Sequence, residues 1–248
     1  MKKNMIIHQN ASQRQSYGVG GFRIARIQPG LGVNKNDDSG FGPLGLVDHA
    51  HLLPGVVVPM HQHQNDEIFS YLRRGTMYHV DTLGGKVALT STNLVIMNTG
   101  SGMRHEESVP WDGEEVELLQ IFVRPRAPDL EPDFQQHRLA RTRSDNQWRL
   151  LAGPEDSVAP LKVRNAVWVY DIFLSDEAVS LPIQEGLDTW LYLFRGKVMF
   201  NDRIMESGDS AALVGQFNGS VKPITDSDLV CFLVNRSAIA SRAGTRSG

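Results

Sequence analysis

The chain has 248 residues, of which 25 are lysine or arginine and 28 are aspartate or glutamate. Because the charges nearly balance, the protein has no global positive field, and we expect no direct binding to nucleic acid. A single cysteine, Cys231, excludes an intrachain disulfide and any multi-cysteine metal site, which fits a reducing compartment. No apolar run approaches the roughly 18 residues of a membrane helix, and the apolar stretch near the N-terminus is too short for a secretory signal, so we predict a soluble cytoplasmic protein.

Short runs rich in Val, Ile, Leu, Phe and Tyr, separated by Gly, Pro, Asn and Asp, follow one another along the chain. Their length and their turn residues predict β-strands. In chain order these strands are residues 55–59, 68–72, 86–90, 94–97, 116–123, 167–174, 190–194, 211–214 and 229–234. We expect short helices within residues 133–143 and near Ala238, and a frayed tail over residues 241–248. The pattern as a whole predicts an all-β sandwich or barrel.

A short pattern occurs twice, about half a chain apart. Pro59 precedes the sequence YLRRG at residues 71–75, and Pro182 precedes YLFRG at residues 192–196. The interval from proline to glycine is 16 positions in the first copy and 14 in the second. Between the copies, residues 124–132 contain three prolines and suit a linker. The repeat predicts two tandem β-barrel domains, residues 1–130 and residues 131–248.

The histidines are unevenly distributed, because all eight lie within the first 137 residues. His61 and His63 stand two residues apart in a strand-like segment, so their side chains point to the same side. His105 and Glu107 repeat this spacing 42 positions after His63. Three imidazoles and one carboxylate facing one interior suit Fe(II), Ni, Cu, Mn or Zn better than Ca or Mg. We therefore predict a transition-metal site in the first domain, with room for exchangeable ligands.

These residues carry a resemblance to a known family. The two motifs are Gly55-x5-His61-x-His63-x3-Glu67-x7-Gly75 and Gly100-x-Gly102-x2-His105-x-Glu107. They resemble the metal motifs of the cupins in the variant typical of the pirin family, and in particular of bacterial pirin-like quercetin 2,3-dioxygenases. The resemblance implies a bicupin, in which two cupin β-barrels of the double-stranded β-helix or jelly-roll type follow one another. It also implies that the metal lies in the N-terminal barrel, with His61, His63, His105 and Glu107 as its ligands.

The carboxylate ligand has two candidates. In many cupins it follows the first two histidines, here as Glu67, whereas in pirins it follows the last histidine, here as Glu107. We expect Glu107 to be the ligand and Glu67 to be a neighbour. The second copy of the repeat has Gln184 and Gly186 where the first has its two histidines, so we expect a degenerate C-terminal barrel without metal ligands.

The resemblance implies two alternative functions. The first is a metal-dependent dioxygenase that cleaves a flavonol or a similar small aromatic substrate with O2. Its cofactor would be one divalent transition metal, Fe(II) in the first place, with Ni, Cu, Mn or Zn as alternatives, and Glu107 or Glu67 would take the proton of the substrate hydroxyl. The second is a non-enzymatic regulator whose metal acts as a redox-sensitive switch for a protein partner. The sequence does not separate the two.

Other polar residues of the first half have less specific roles. His79 and Asp81 share a strand face, and we expect them to orient a ligand or to line the mouth of the pocket. His49 and His51 also share a face, but without a spaced partner we do not expect them to bind metal. Residues 113–117, sequence GEEVE, are expected to form an exposed strand entry.

Overall fold

The computed structural model describes residues 4–35, 37–215 and 219–248. This part of the chain contains 22 β-strands, one 3₁₀ turn at Ala11–Gln13 and no α-helix, which confirms the all-β prediction. Within it, no helix is long and apolar enough to cross a membrane. The strands are β1 (Met5–Gln9), β2 (Gln15–Val19), β3 (Phe22–Ile27), β4 (Leu44–Leu52), β5 (Val57–His63), β6 (Glu67–Arg74), β7 (Met77–Asp81), β8 (Lys86–Leu89), β9 (Asn93–Asn98), β10 (Met103–Ser108), β11 (Val116–Val123), β12 (Asp133–Arg138), β13 (Arg149–Pro154), β14 (Leu161–Val163), β15 (Val167–Leu174), β16 (Val179–Ser180), β17 (Asp188–Arg195), β18 (Lys197–Phe200), β19 (Arg203–Glu206), β20 (Ser210–Val214), β21 (Ser220–Pro223) and β22 (Ser227–Val234).

The strands form two barrels, each made of a seven-stranded and a four-stranded sheet. In the first barrel the strand orders are β12-β9-β6-β11-β4-β3-β2 and β5-β10-β7-β8. In the second they are β1-β20-β17-β22-β15-β13-β14 and β16-β21-β18-β19. Apolar side chains of each four-stranded sheet share a buried cluster with its seven-stranded partner, for example Met77 with Leu118 in the first barrel and Phe200 with Leu191 in the second. The two-barrel architecture predicted from the repeat is therefore confirmed.

The two seven-stranded sheets pack against each other between the barrels. Their shared core includes Phe69 and Tyr71 from the first barrel and Trp190 and Phe232 from the second. β22 is buried along its whole length, because one face lies in its own barrel and the other in this shared core. The two barrels are thus held together by an apolar layer of the kind found in the core of a single domain.

Two strands exchange between the barrels. β1, near the N-terminus, pairs with β20 of the second barrel, and β12 pairs with β9 of the first. The division into residues 1–130 and 131–248 stays a prediction, and strand pairing crosses it in both directions. The predicted helix within residues 133–143 is wrong, because residues 133–138 form β12 and take their hydrogen bonds from β9. The segment around Ala238 is a turn, so the second predicted helix is also wrong.

The prediction of a frayed tail over residues 241–248 is wrong as well. Ser247 is buried, and the Arg124 guanidinium donates a hydrogen bond to its carbonyl oxygen. Arg242 pairs with Asp38, 2.6 Å apart. The tail contains few apolar residues, and the polar bonds of its backbone and side chains hold it in place.

Candidate metal centre

Three imidazoles converge inside the first barrel from two neighbouring strands. His61 and His63 lie on β5, and His105 lies on β10 directly opposite His61 in the antiparallel ladder. The ring centroids of His61 and His105 are 4.3 Å apart, and those of His63 and His105 are 5.2 Å apart. One ring nitrogen from each of the three lies within 4.8 Å of the others. The strand period of two, which brings His61 and His63 to one face, therefore builds the predicted group of three nitrogens.

Three ring nitrogens of this group lack a hydrogen-bond partner in the part of the chain that the structure describes. Among the described residues, Nδ1 of His63 and both ring nitrogens of His105 are buried without a partner. His61 donates a hydrogen bond from Nδ1 to the carbonyl oxygen of Pro59 over 2.8 Å, which leaves its Nε2 with a lone pair. Buried polar atoms without partners are costly in free energy. A transition metal that accepts these lone pairs would remove that cost, so the residues present fit such an ion.

The electrostatic surroundings keep the imidazoles in the form that binds metal. Burial and the neighbouring His61 lower the pKa of His105 to about 2. Burial also lowers the pKa of His61. Both rings are therefore neutral at physiological pH, and neutral imidazole is the form in which histidine coordinates a metal.

Glu107 follows His105 on β10 and points to the same interior. Its Oε1 lies 4.0 Å from Nδ1 of His105, and its two oxygens accept hydrogen bonds from Nε2 of Gln120. Burial raises the pKa of Glu107 to about 7. By ligand-atom distances Glu107 forms a group with His79 and His105, next to the group of three histidines. A carboxylate in this position can complete a donor set or hold a proton.

His79 adds a fourth imidazole beside the group. Its ring centroid is 5.3 Å from that of His105, and its ring stacks on Phe134 of β12 with an interplanar angle of 17°. Asp81 accepts the Nε2 hydrogen of His79 over 2.8 Å while its other oxygen accepts the backbone N–H groups of Leu83 and Gly85. The expected His79–Asp81 pair is present, and it fixes the orientation of His79.

The structure places Glu67 in a different environment. Its carboxylate, at the start of β6, accepts hydrogen bonds from Nε and the backbone N–H of Arg164, at 2.8 and 3.0 Å, and from the side chain of Asn98. Among the described residues, Glu67 belongs to no group of side chains spaced to hold one ion. Of the two candidate carboxylates, Glu107 is the one that lies next to the histidines.

Two polar residues of the site were not singled out from the sequence. Gln120 lies on β11, whose other inward residues are apolar, and a lone amide in such a strand is a signal that could have been noticed. Asp66 is fully buried, with Oδ2 3.6 Å from Nδ1 of His63, and it accepts hydrogen bonds from the C-terminal tail. That contact joins residues about 180 positions apart and leaves no local pattern.

Within the part of the chain that the structure describes, the second barrel offers no equivalent group, because it contains only His8 on β1, and no histidine follows His137. Gln184 and Gly186 lie in the segment between β16 and β17. The fold and the site together define a two-barrel protein with a histidine-rich centre in its N-terminal barrel.

Comparison with known proteins identifies the family. The family model described as Pirin matches residues 37–123, and the model described as Quercetinase C-terminal cupin domain matches residues 150–234. The chain belongs to the pirin family of bicupins.

Individual relatives agree with this assignment. The quercetin 2,3-dioxygenase of Escherichia coli strain K12 is 26% identical over 194 residues, which cover 78% of this chain and 83% of that protein. The crystal structure of YhhW from Escherichia coli is 25% identical, with a TM-score of 0.82 over 93% of this chain and 97% of that one. The bacterial pirin YhhW in complex with nickel(II) is 24% identical, with a TM-score of 0.80 over 93% and 99% of the two chains.

Proposed function

We propose that the protein is a metal-dependent dioxygenase of the quercetin 2,3-dioxygenase type, which cleaves a flavonol-like aromatic substrate with O2. The observation that carries the proposal is the set of three convergent imidazoles beside a buried carboxylate, in which Nδ1 of His63 and both ring nitrogens of His105 have no hydrogen-bond partner among the described residues. Such a set holds a transition metal and leaves coordination positions for exchangeable ligands. The relative named quercetin 2,3-dioxygenase supports the substrate class.

His61, His63 and His105 would hold the metal, and Glu107 would complete the donor set. Fe(II) is our first choice for the ion, and the nickel complex of a structural relative supports Ni(II) as an alternative. The bound ion supplies Lewis acidity that lowers the pKa of a substrate hydroxyl and favours electron transfer from the substrate to O2.

The side chains around the ion have separate tasks in this proposal. Glu107 would accept the proton of the substrate hydroxyl on a carboxylate oxygen. Gln120 holds that carboxylate in place through its two hydrogen bonds. Asp81 keeps the ring of His79 oriented toward His105. Half-buried His61 lies at the solvent side of the group, where a substrate would enter.

The test is anaerobic reconstitution with Fe(II) or Ni(II), followed by O2 uptake and loss of quercetin absorbance. We expect turnover that is abolished by His61→Ala and retained in His137→Ala, since His137 lies on β12, outside the histidine group. Turnover unaffected by His61→Ala would overturn the assignment. Metal binding without turnover would favour the regulator, whose protein partner would then bind the Fe(II) and Fe(III) forms with different affinity.

A matched pair of variants separates the two carboxylates. Glu107→Gln and Glu67→Gln each replace a carboxylate by an amide of the same shape. We expect Glu107→Gln to lose metal affinity and turnover, and Glu67→Gln to keep both. The opposite result would move the carboxylate role to Glu67.

A further inference from the structure

A second group of side chains with metal-ligand atoms lies on the outer face of the first barrel, where it meets the second. His49 and His51 lie on β4, and Glu117 lies on β11. One ligand atom from each of the three lies within 4.8 Å of the others. We call these three residues the interbarrel cluster. No spaced partner of His49 and His51 was evident in the sequence, and in the structure this partner is Glu117, 66 positions after His51. The side chain of Glu117 is largely buried, so the expectation of an exposed strand entry at residues 113–117 is wrong for this residue.

The strand register that builds this cluster is the same as in the metal centre. Glu117 lies directly opposite His51 in the β11–β4 ladder, and His49 lies two residues along on the same face. In the metal centre, His105 lies directly opposite His61, with the second histidine of β5 two residues along. Both groups therefore consist of a His-x-His pair on one strand and a third donor across the ladder.

His51 lies between two carboxylates. Its Nδ1 is 3.2 Å from Oε1 of Glu115, and its Nε2 is 3.9 Å from Oε1 of Glu117. Imidazole nitrogens beside carboxylate oxygens can donate hydrogen bonds to them, or a nitrogen without a hydrogen can share a metal ion with them. With the proton on Nδ1 and donated to Glu115, Nε2 is free to bind a metal ion beside Glu117, as in the carboxylate–histidine–metal arrangement.

His49 is held in a fixed orientation next to His51. Its Nδ1 lies 2.8 Å from the hydroxyl of Tyr192 and its Nε2 lies 3.1 Å from Oε1 of Glu117. Its ring packs on Phe194, with centroids 4.5 Å apart. Burial lowers the pKa of His49 although Glu117 opposes the shift, so the ring is neutral. Without an ion, Nε2 donates to this carboxylate oxygen and Nδ1 accepts from the Tyr192 hydroxyl. A metal ion would take the place of the Nε2 hydrogen, and Nδ1 would then donate to Tyr192.

Glu117 supplies the negative charge, and a cavity supplies space. Burial pushes the pKa of Glu117 upward, but the hydrogen bond with His49 and the charge of Arg195 outweigh this and leave the pKa below its usual value. Arg195 binds Oε2, which leaves Oε1 for the histidine side. A cavity of about 440 Å³ adjoins the cluster and is lined by Arg14 and Arg195 among others. It has room for water or a small anion as additional ligands.

We propose that the interbarrel cluster is a second metal site, which binds a divalent transition metal such as Zn²⁺ or Ni²⁺ through Nε2 of His49, Nε2 of His51 and Oε1 of Glu117. Two imidazoles and one carboxylate are the donor set of open zinc sites, and the cavity leaves the remaining positions to exchangeable ligands. The second barrel takes part through Tyr192, which orients His49, and through Arg195, which orients Glu117.

The experiment counts Zn²⁺ bound by tag-free, full-length protein that has first been stripped with EDTA. Elemental analysis after desalting gives the stoichiometry, and calorimetric titration gives the affinity. We expect two molar equivalents for the unchanged protein, one for His105→Ala, one for His51→Gln and none for the double variant. The control His137→Gln should keep both equivalents. Co²⁺ bound to the His105→Ala variant should give visible ligand-field bands. These bands should be absent from the double variant His105→Ala/His51→Gln.

The outcomes are separable. One equivalent in the unchanged protein that is lost in His105→Ala and retained in His51→Gln would overturn the second site. One equivalent that is lost in His51→Gln and retained in His105→Ala would support the second site and count against the proposed function. If His51→Gln does not fold, Tyr192→Phe gives the same test, since loss of a partner that orients a ligand should weaken Zn²⁺ affinity in the His105→Ala protein by about 10-fold or more. An unchanged affinity would contradict the role of Tyr192 and of the cluster.

Discussion

Nε2 of Gln120 lies 3.1 Å from one oxygen of Glu107 and 3.0 Å from the other, so a single amide group faces both oxygens of a buried carboxylate. Gln120 lies on the seven-stranded sheet and Glu107 on the four-stranded sheet, and the contact crosses the interior of the first barrel. Burial raises the pKa of Glu107 to about 7, and the Gln120 amide opposes the rise. Gln120 therefore favours the deprotonated Glu107, the form that binds a metal or accepts a proton.

Replacing Gln120 by leucine should impair the metal centre without removing a ligand. The carboxylate of Glu107 would lose its orienting donor and would hold its proton more tightly. We expect metal affinity and kcat/KM for quercetin each to fall by about 10-fold to 100-fold, as is usual when a partner of a ligand is lost. Calorimetric titration and the quercetin assay measure the two effects.

The matched control for this prediction is Gln136→Leu. Gln136 is exposed on β12 and bonds to Asn93, away from the histidines. The Gln136→Leu variant should leave the metal affinity and kcat/KM for quercetin unchanged. Equal losses in the two variants would show that Gln120 has no specific role.

Metal binding should stabilise the protein, because the partnerless nitrogens of His63 and His105 gain a partner. At a free Ni²⁺ concentration of about 100 times Kd, the free energy of unfolding should rise by about 2.7 kcal/mol. For a chain of this length that corresponds to a rise in Tm of about 5–10 °C. The measurement compares metal-loaded and stripped protein in a His51→Gln background, so that the interbarrel cluster does not contribute. Adding His105→Ala should abolish the rise, and a rise that persists would place the ion elsewhere.

Arg164 and Glu67 form a buried ion pair between the barrels. Nε of Arg164 donates to Glu67 over 2.8 Å, and the Glu67 side chain is fully buried. Arg164→Met would leave that carboxylate without its counter-charge, so we expect a loss of about 3–5 kcal/mol in the free energy of unfolding, measured by urea denaturation. Arg126→Met is the control, since the Arg126–Glu155 pair is half exposed on both sides, and its loss should cost at most about 1 kcal/mol. Similar losses for the two variants would be inconsistent with a buried pair.

Local sequence patterns predicted a large part of this structure. The predicted strands 116–123 and 167–174 coincide with β11 and β15, because short apolar runs between turn residues decide such strands locally. The group of His61, His63 and His105 also followed from spacing, since the side-chain period of a strand is fixed by its geometry.

The features that the sequence did not reveal depend on contacts between distant residues. β12 has a polar sequence, and its pairing with β9 rather than any local pattern makes it a strand. The side chain of Glu117 meets His49 and His51 only through the β11–β4 register. Cross-strand register is set by packing over the whole sheet, so a motif search along one segment does not find such a group.

The last prediction concerns the C-terminal tail and the buried carboxylate of Asp66. The backbone N–H and the hydroxyl of Ser247 donate to one oxygen of Asp66 at 3.0 and 2.6 Å, and the backbone N–H of Arg246 donates to the other at 3.1 Å. The same carboxylate lies 3.6 Å from Nδ1 of His63. Ser247→Ala removes one of three hydrogen bonds to a buried charge, so we expect the free energy of unfolding to fall by about 1.5–3 kcal/mol.

Ser241→Ala is the control, because the Ser241 hydroxyl accepts only a surface backbone bond from Ala243, and its loss should change stability by less than about 0.5 kcal/mol. Deleting residues 246–248 removes all three donors, and Asp66 would then no longer be held beside His63. We expect metal affinity of the deleted chain to fall by about 10-fold or more, because a neighbour of a ligand loses its orientation. A deletion that lowers stability but leaves metal affinity unchanged would limit the tail to a structural role, whereas a loss of both shows that the end of the chain helps to build the metal centre.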